Sequence, residues 1–221
     1  MHGSDTLWPD DDRPPSIEHP AEGVVLLRSF CREQAPELYS SIKAVAEAAP
    51  FRQMTVPGGH TMSVAMTNTG SLGWTSDCHG YRYAPVDPMT NLRWPAMPAP
   101  LLDLARRASE IADYSGFTPN SCLINRYSVG ARLSLHQDKD ERDYKHPIVS
   151  VSLGLPATFL LGTLRRADTP RRIQIEHGDV LVWGGPARLI YHGVAPIAAG
   201  NHFLTGPFRL NLTFRRAALN P

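Results

Sequence analysis

Apolar positions in the N-terminal half of the chain recur at helical spacing in two segments. Residues 35–48 place Leu38 and Ile42 four positions apart, and residues 98–114 repeat this periodicity. Gly116 follows the second segment at a position where helices commonly stop. The pattern therefore predicts two amphipathic helices in this half of the chain.

The other segments of this half carry different patterns. Residues 24–30 are mostly apolar and predict a first strand, whereas residues 1–22 are rich in Asp and Pro and predict a mobile tail. Residues 54–97 contain many Gly, Pro and aromatic residues, so they predict loop structure between the two helices.

After residue 120 the pattern changes to short β-like runs separated by Gly, Pro and Asp. These runs cover residues 121–127, 147–155, 157–162, 171–177, 179–183 and 207–216. His177, Gly178 and Asp179 resemble a hairpin turn between two of them. Two helices followed by such runs predict an α+β, mainly β fold whose C-terminal part is a sandwich or barrel.

Side chains in the last run alternate between two faces. Leu210, Leu212 and Phe214 share one face, and Arg209, Asn211, Thr213 and Arg215 share the other. Asn125 and Tyr127 likewise point to one side of an earlier run. A half-solvated strand explains a polar row of this kind. Alternatively the row lines the inside of a barrel, where two guanidiniums suit a dicarboxylate.

The segment "LSLHQDKDE" passes from alternating apolar residues directly into a polar cluster. His136 and Asp138 lie two residues apart, so both can face one point from an extended segment. His192, after an apolar run and before a Gly, is the best candidate for a third ligand, although a core or turn histidine explains it more simply when it is taken alone. Two imidazoles and one carboxylate leave one side of a metal open, which suits Fe(II) oxygenase chemistry.

Composition narrows the setting of the protein. The net charge of +1 gives no general attraction to nucleic acid, so any such contact must come from a local patch. No apolar run is long enough to span a bilayer, and the start of the chain has no signal-peptide core. Three widely spaced cysteines then indicate reduced thiols and a cytoplasmic protein.

The order of the motifs is more specific than any one of them. N-x-Y, H-x-D, a later His and R-x-N-x-T-x-R follow one another on β-like segments. Together with "CLINRYSVGARLSLHQDKDE", "PIVSVSLGLPATF", "EHGDVLVWGG", "YHGV", "RLNLTFR", "GSLGWTSDCHGYRY" and "WPAMP", they cover roughly residues 60–216. Over this span the sequence resembles the Fe(II)/2-oxoglutarate dioxygenases, and within them the AlkB family of oxidative nucleic-acid demethylases.

The resemblance implies a double-stranded β-helix (jelly-roll) core over residues 120–221. Residues 23–119 would form supporting helices and a nucleotide-recognition lid, within one compact catalytic domain. Fe(II) would be held by His136, Asp138 and His192, and 2-oxoglutarate by Asn125, Tyr127, Arg209, Asn211 and Arg215. Arg209 would bind the distal carboxylate of 2-oxoglutarate, and Arg215 the end nearer the metal. O₂ would be the second co-substrate.

The activity implied is removal of methyl groups from 1-methyladenine and 3-methylcytosine, with release of formaldehyde, succinate and CO₂. Such bases are cationic and pair poorly, so they are easier to flip out of a stack. Alkylated DNA, single-stranded or with a flipped base, is the expected partner of a monomeric enzyme, and RNA remains a second candidate. The rivals are an oxygenase of the same fold acting on a protein or small molecule, and a non-catalytic module that binds damaged DNA.

A cationic base favours an aromatic face and a nearby carboxylate. Trp74 and Asp140 are the leading base contacts that the resemblance implies, and Tyr81 is a phosphate or base contact. In the loop "LRRADTPRR", it points to Arg166 as the substrate contact. Simpler interpretations are a core anchor for Trp74, a solvated charge run for Asp140 and Glu141, and a solubilising role for the basic loop.

Overall fold

Fourteen strands and two α-helices run through residues 14–218, the part of the chain that the computed structural model describes. The strands are β1 (Ser16–Ala21), β2 (Val24–Arg28), β3 (Arg52–Thr55), β4 (Thr61–Gly70), β5 (Gly73–Asp77), β6 (Gly80–Ala84), β7 (Ser121–Tyr127), β8 (Leu133–His136), β9 (Ile148–Gly154), β10 (Ala157–Leu161), β11 (Arg171–Ile175), β12 (Val180–Trp183), β13 (His192–Val194) and β14 (Arg209–Arg215). The helices are α1 (Ala35–Ala48) and α2 (Ala99–Ile111). Both predicted helices, the strand predicted over residues 24–30 (β2) and the six predicted β-like runs are confirmed.

Three predictions about the backbone are wrong. Residues 54–97 are not a loop, because the whole of β4 and the whole β5–β6 hairpin lie there. β4 pairs with β7 and buries Val64 and Met66, so a sheet partner distant in sequence overrides the local turn residues. The predicted tail contains β1, which pairs with β2 and is anchored by an ion pair between Arg28 Nε and Glu18 Oε1 at 2.7 Å. Residues 1–13 of that tail lie outside the described residues.

The third error concerns the turn at residues 177–179. It is not a hairpin, since β11 pairs with β10 whereas β12 pairs with β2 and β9 in the other sheet. Gly178 makes this change of sheet possible because its φ is +85° and an added Cβ would lie 2.9 Å from the Arg32 backbone.

Two sheets face each other as a jelly roll. The larger has the strand order β1-β2-β12-β9-β14-β7-β4-β3, and the smaller has the order β11-β10-β13-β8. The larger sheet takes strands from both sides of residue 120. β5 and β6 form a separate two-stranded hairpin, here called the lid hairpin (residues 73–84). Within residues 14–218, neither helix is long and apolar enough to cross a membrane.

The two faces of the larger sheet have different neighbours. In β12, Val180 and Val182 pack in the same core as the buried residues of α1 and α2, whereas Leu181 and Trp183 pack with residues of the smaller sheet. β14 follows the same alternation, with Leu210 on the helix side. Its polar row therefore lies inside the sandwich, and the half-solvated alternative is wrong.

Candidate metal and co-substrate site

His136 and His192 meet because β8 and β13 are neighbours in the smaller sheet. The two residues lie opposite each other in the register, and their ring centroids are 4.5 Å apart. Asp138 follows β8. Its Oδ1 lies 3.7 Å from His136 Nε2, and its Oδ2 lies 3.8 Å from His192 Nε2. One ligand atom from each residue lies within 4.8 Å of the others. The structure thus brings the three predicted metal ligands together.

Backbone carbonyls fix the tautomer of both imidazoles. His136 Nδ1 lies 2.8 Å from the Ser134 carbonyl oxygen, and His192 Nδ1 lies 3.2 Å from that of Ile190. A carbonyl oxygen only accepts hydrogen bonds, so each Nδ1 carries the proton. The Nε2 lone pairs are therefore free for a metal, in the arrangement typical of histidine ligands.

The charges of the three groups suit a divalent cation. Burial raises the pKa of the Asp138 carboxyl, but the charge of Arg215 and the two histidines outweigh burial and hold that pKa well below its usual range. Burial, together with His136, lowers the pKa of His192 to about 4. The donor set at neutral pH is one carboxylate with neutral imidazole at His192, which fits Fe(II).

The buried polar row of β14 lies beside these ligands. Arg209 is opposite Tyr127 and Asn211 is opposite Asn125 across the β14–β7 pair. Hydrogen bonds hold the row in place, since Asn125 Nδ2 donates to Asn211 Oδ1 at 3.2 Å. At the end of the row, Arg215 Nε and Nη2 donate to Asp138 Oδ2 at 2.9 and 2.5 Å. Arg215 thus links the polar row of β14 to the three candidate metal ligands.

Several buried donors and acceptors of this row have no hydrogen-bond partner among the described residues. They are Arg209 Nε and Nη1, Arg215 Nη1, Tyr127 Oη and Asn125 Oδ1. Leaving such a group unpaired costs about 1–3 kcal/mol, and more for a charge. Burial also lowers the pKa of the Arg209 guanidinium. A dicarboxylate that reached both guanidiniums would satisfy these groups, so the residues fit 2-oxoglutarate.

Three of the four predicted substrate contacts lie together at the lid hairpin. The rings of Trp74 and Tyr81 are stacked with centroids 5.7 Å apart and an interplanar angle of 14°. Trp74 Nε1 donates to Asp140 Oδ2 at 2.9 Å. Tyr81 is 48% exposed, whereas Trp74 is half-buried against the core. The lid hairpin and the loop after the metal ligands therefore share a direct contact.

Arg166 lies elsewhere, in the exposed loop between β10 and β11. Its guanidinium lies 5.9 Å from the centroid of the Tyr191 ring. Two other arginines of this segment have partners of their own, since Arg165 faces Asp168 at 3.6 Å and Arg171 donates to the Pro20 carbonyl. β10 and β11 pair as an antiparallel hairpin on either side of this loop, and the substrate role of Arg166 stays a prediction.

Sequence patterns missed two residues behind the metal ligands, Glu141 and Arg188. Glu141 is 1% exposed, so its interpretation as part of a solvated charge run is wrong. It accepts hydrogen bonds from Tyr83 Oη at 2.6 Å and from Arg188 Nη2 at 3.1 Å. Arg188 also donates to the carbonyl oxygens of Asp138 and His146. These partners are 42 to 50 residues away in sequence, so no local pattern identifies Arg188.

Replacing Arg188 by Ala is expected to lower the free energy of unfolding by about 3–5 kcal/mol, because a buried ion pair is broken and two carbonyl oxygens lose their donor, leaving Glu141 only the cationic contact with Arg215 Nε at 3.3 Å. Urea denaturation measures this change. Lys145→Ala is the control, since Lys145 is exposed in the loop between β8 and β9 that carries Glu141. A loss below about 1 kcal/mol for Arg188→Ala, as in an exposed pair, would contradict this view of the network.

Comparison with known proteins agrees with this geometry. The family described as the 2OG-Fe(II) oxygenase superfamily matches residues 23–215. The chain is 57% identical over 207 residues to alpha-ketoglutarate-dependent dioxygenase AlkB of Salmonella typhimurium, covering 94% of this chain and 96% of that one. It is 47% identical over 181 residues to the AlkB homolog of Caulobacter vibrioides, covering 81% and 80%.

A solved structure agrees as well. The structure of OsALKBH1 superposes with a TM-score of 0.80 at 29% identity, and the match covers 91% of this chain and all of that one. The family match, the identities and the superposition all extend over most of the chain. This chain belongs to the 2OG-Fe(II) oxygenase superfamily and, within it, to the AlkB family.

Proposed function

We propose that this chain is an Fe(II)/2-oxoglutarate-dependent dioxygenase that repairs DNA by oxidative demethylation of bases such as 1-methyladenine and 3-methylcytosine. The products are the restored base, formaldehyde, succinate and CO₂. The observation that carries the proposal is the triad of His136, Asp138 and His192 beside a buried row with unpaired guanidinium donors. Relatives of this chain are named dioxygenases and demethylases of DNA or tRNA, which favours a nucleic-acid substrate.

The triad would hold Fe(II), and the bound iron with 2-oxoglutarate would supply the oxidation of the N-methyl group by O₂. The protein's part is to hold its ligands in one geometry. The Nδ1 hydrogen bonds orient the two imidazoles, and Arg215 fixes Asp138 Oδ2. Because Arg215 holds Asp138 in its ionised form, the site keeps a negative ligand for the cation throughout the neutral range.

The polar row would bind 2-oxoglutarate in one orientation. Arg215 touches Asp138, so its guanidinium lies at the metal end of the row, and its unpaired Nη1 suits the end of the co-substrate nearer the iron. Arg209 lies further along β14, with unpaired Nε and Nη1 and with Tyr127 opposite. Those groups suit the distal carboxylate, because an Arg fork matches a carboxylate with two parallel hydrogen bonds.

The lid hairpin would bind the methylated base. Trp74 offers an aromatic face, and its bond to Asp140 Oδ2 holds a carboxylate beside that face. Asp140 Oδ1 accepts no hydrogen bond from the described residues, so it can offset the positive charge of the base. Tyr81, which is stacked on Trp74 and half exposed, and Arg166 would contact the flanking nucleotides.

Asp140→Ala is expected to slow turnover of cationic lesions more than turnover of neutral lesions such as 1-methylguanine and 3-methylthymine, because only the cationic bases lose a charge partner. Trp74→Ala is expected to slow turnover of every lesion, since stacking is blind to base identity and contributes about 1–3 kcal/mol per base. The measurement is kcat/KM for charged and neutral methylated oligonucleotides with both variants and the parent. Equal losses in both lesion classes for Asp140→Ala would mean that the carboxylate acts only by holding Trp74.

We further propose that the enzyme is a monomer, that it is located in the cytoplasm, and that its substrate is single-stranded or has a flipped base. The proposal is tested by formaldehyde release from matched oligonucleotides: single-stranded DNA, duplex DNA and RNA, each with one 1-methyladenine or none. We expect release only from the methylated strands and fastest from single-stranded DNA, because no pairing must be broken there. Release that does not depend on the methylated base would contradict the proposal.

A further inference from the structure

Three consecutive residues converge at the tip of the lid hairpin, and none of them takes part in the site described above. Cys78 Sγ lies 3.5 Å from His79 Nδ1, and that nitrogen lies 3.3 Å from Asp77 Oδ1. One ligand atom from each side chain lies within 4.8 Å of the other two. The group combines a thiol, an imidazole and a carboxylate, which are the three ligand types that Zn²⁺ takes in proteins.

Two of the three separations between these atoms match the geometry of a tetrahedral metal. Bonds of about 2.3 Å to sulfur and about 2.0–2.1 Å to nitrogen and oxygen, set at a tetrahedral angle, separate S and N by about 3.5 Å and N and O by about 3.3 Å. The two observed distances have these values. We propose that Asp77, Cys78 and His79 form a site for a thiophilic divalent cation of the zinc class, with water completing the coordination.

The surroundings of Cys78 suit such a site better than those of the other cysteines. Cys31 and Cys122 are buried, whereas Cys78 is exposed. Burial raises the pKa of the Cys31 thiol to about 12, so that thiol stays protonated. The soft thiolate of a metal-bound Cys78 would favour zinc-class ions over Mg²⁺ and Ca²⁺.

Arg82 competes with a cation for the carboxylate. Its Nη1 donates to Asp77 Oδ1 at 2.8 Å, and its Nη2 donates to Oδ2 at 2.6 Å. The pair is about one-third exposed on each side, and exposed ion pairs contribute little, so a divalent cation can displace the guanidinium. Binding would then release Arg82 from Asp77, and removing Arg82 should make the site stronger.

The test uses the full chain with reduced thiols, and Co²⁺ is the probe. A thiolate bound to Co²⁺ gives a charge-transfer absorption that the nitrogen and oxygen ligands of the His136 triad cannot give. We expect this band to account for one Co²⁺ per chain, to saturate by about two added equivalents because the His136 triad also takes up Co²⁺, and to be bleached by Zn²⁺. Cys78→Ser should abolish it, His79→Ala should weaken Co²⁺ affinity at least about tenfold, and Arg82→Gln should tighten it severalfold, by analogy with the 10–100-fold effects of neighbours on metal sites.

Several outcomes would overturn the proposal. They are the absence of the band, its survival in Cys78→Ser, an unchanged affinity in His79→Ala, and an affinity in Arg82→Gln that is no tighter than in the parent. Circular dichroism of each variant checks the fold, which exposed tip residues should leave unchanged. The result is independent of the demethylase proposal, because none of these variants alters the His136 triad or the β14 row.

Discussion

Replacing Asp138 by Ala is expected to abolish iron binding and lower turnover by more than about 100-fold, while the fold survives. Changing a residue that only hydrogen-bonds to a metal ligand already lowers metal affinity or activity about 10–100-fold, and Asp138 is itself the only carboxylate in the triad. Its loss also leaves two imidazoles with no negative charge beside them to balance a divalent cation. Arg215 keeps a second carboxylate nearby, since its Nε lies 3.3 Å from Glu141 Oε1. The core around Arg215 should therefore tolerate the change.

The measurement is iron per chain after anaerobic loading with Fe(II) and desalting, followed by turnover of the same sample. Asp143→Ala is the matched control, because Asp143 lies in the same loop and its contacts are with His146 and the Lys145 backbone. It should keep both iron and turnover. An Asp138→Ala protein that retained its iron would show that another residue supplies the third ligand.

The second large effect is expected at Arg209. Arg209→Leu should raise the KM for 2-oxoglutarate on the order of 100-fold, because truncating one member of a buried charge pair costs about 2–5 kcal/mol. The KM for DNA should stay within about twofold of the parent, within the error of such comparisons. Two of the three guanidinium nitrogens have no partner within the described structure, so the substitution should not lower the thermal stability of the ligand-free protein much.

Arg216→Leu is the control for this experiment. Arg216 follows the same strand but is exposed, and within residues 14–218 its hydrogen bond is the one from Nη1 to the Thr118 carbonyl at 3.2 Å. We expect its KM for 2-oxoglutarate to match the parent. If Arg209→Leu impaired DNA binding alone, Arg209 would belong to the nucleic-acid surface and the proposed orientation of 2-oxoglutarate would be wrong.

Local periodicity was sufficient to predict which face of β14 carries the polar side chains. Two-residue alternation separates Arg209 and Asn211 from Leu210 and Leu212 wherever the strand lies. Only the tertiary structure decides whether the polar face is wet or enclosed. Here the smaller sheet covers it, so both residues are less than 10% exposed.

The metal site was predictable only in part. The spacing of His136 and Asp138 places both on one short segment, but the pairing of β8 with β13 depends on contacts that no local pattern encodes. The close approach of β8 and β13 requires a glycine at position 193, since an added Cβ would lie 2.7 Å from the Leu133 carbonyl oxygen. The same limit explains why Arg188 was missed, because its role lies entirely in bonds to distant residues.

In the lid hairpin, the local sequence suggested the wrong backbone structure. Its sequence is rich in Gly and aromatic residues, which suggested a loop, yet β5 and β6 pair over five positions from Gly73–Ala84 to Asp77–Gly80. Two of the aromatic residues stabilise the hairpin, since Trp74 on β5 and Tyr81 on β6 stack on each other. The family resemblance supplied Trp74 and Asp140 as a pair, and the hydrogen bond between them is the structural result.

The most direct test of the whole account is one reaction followed by two readouts. The protein is incubated with Fe(II), 2-oxoglutarate, O₂ and a single-stranded DNA oligonucleotide that carries one 1-methyladenine, and the oligonucleotide mass and succinate are measured over time. We expect the oligonucleotide to lose one methyl group and one succinate to form for each methyl removed. Neither change is expected with Asp138→Ala. Succinate formed while the oligonucleotide mass stays constant would contradict this account, because the iron chemistry would then act without the methylated base as its substrate.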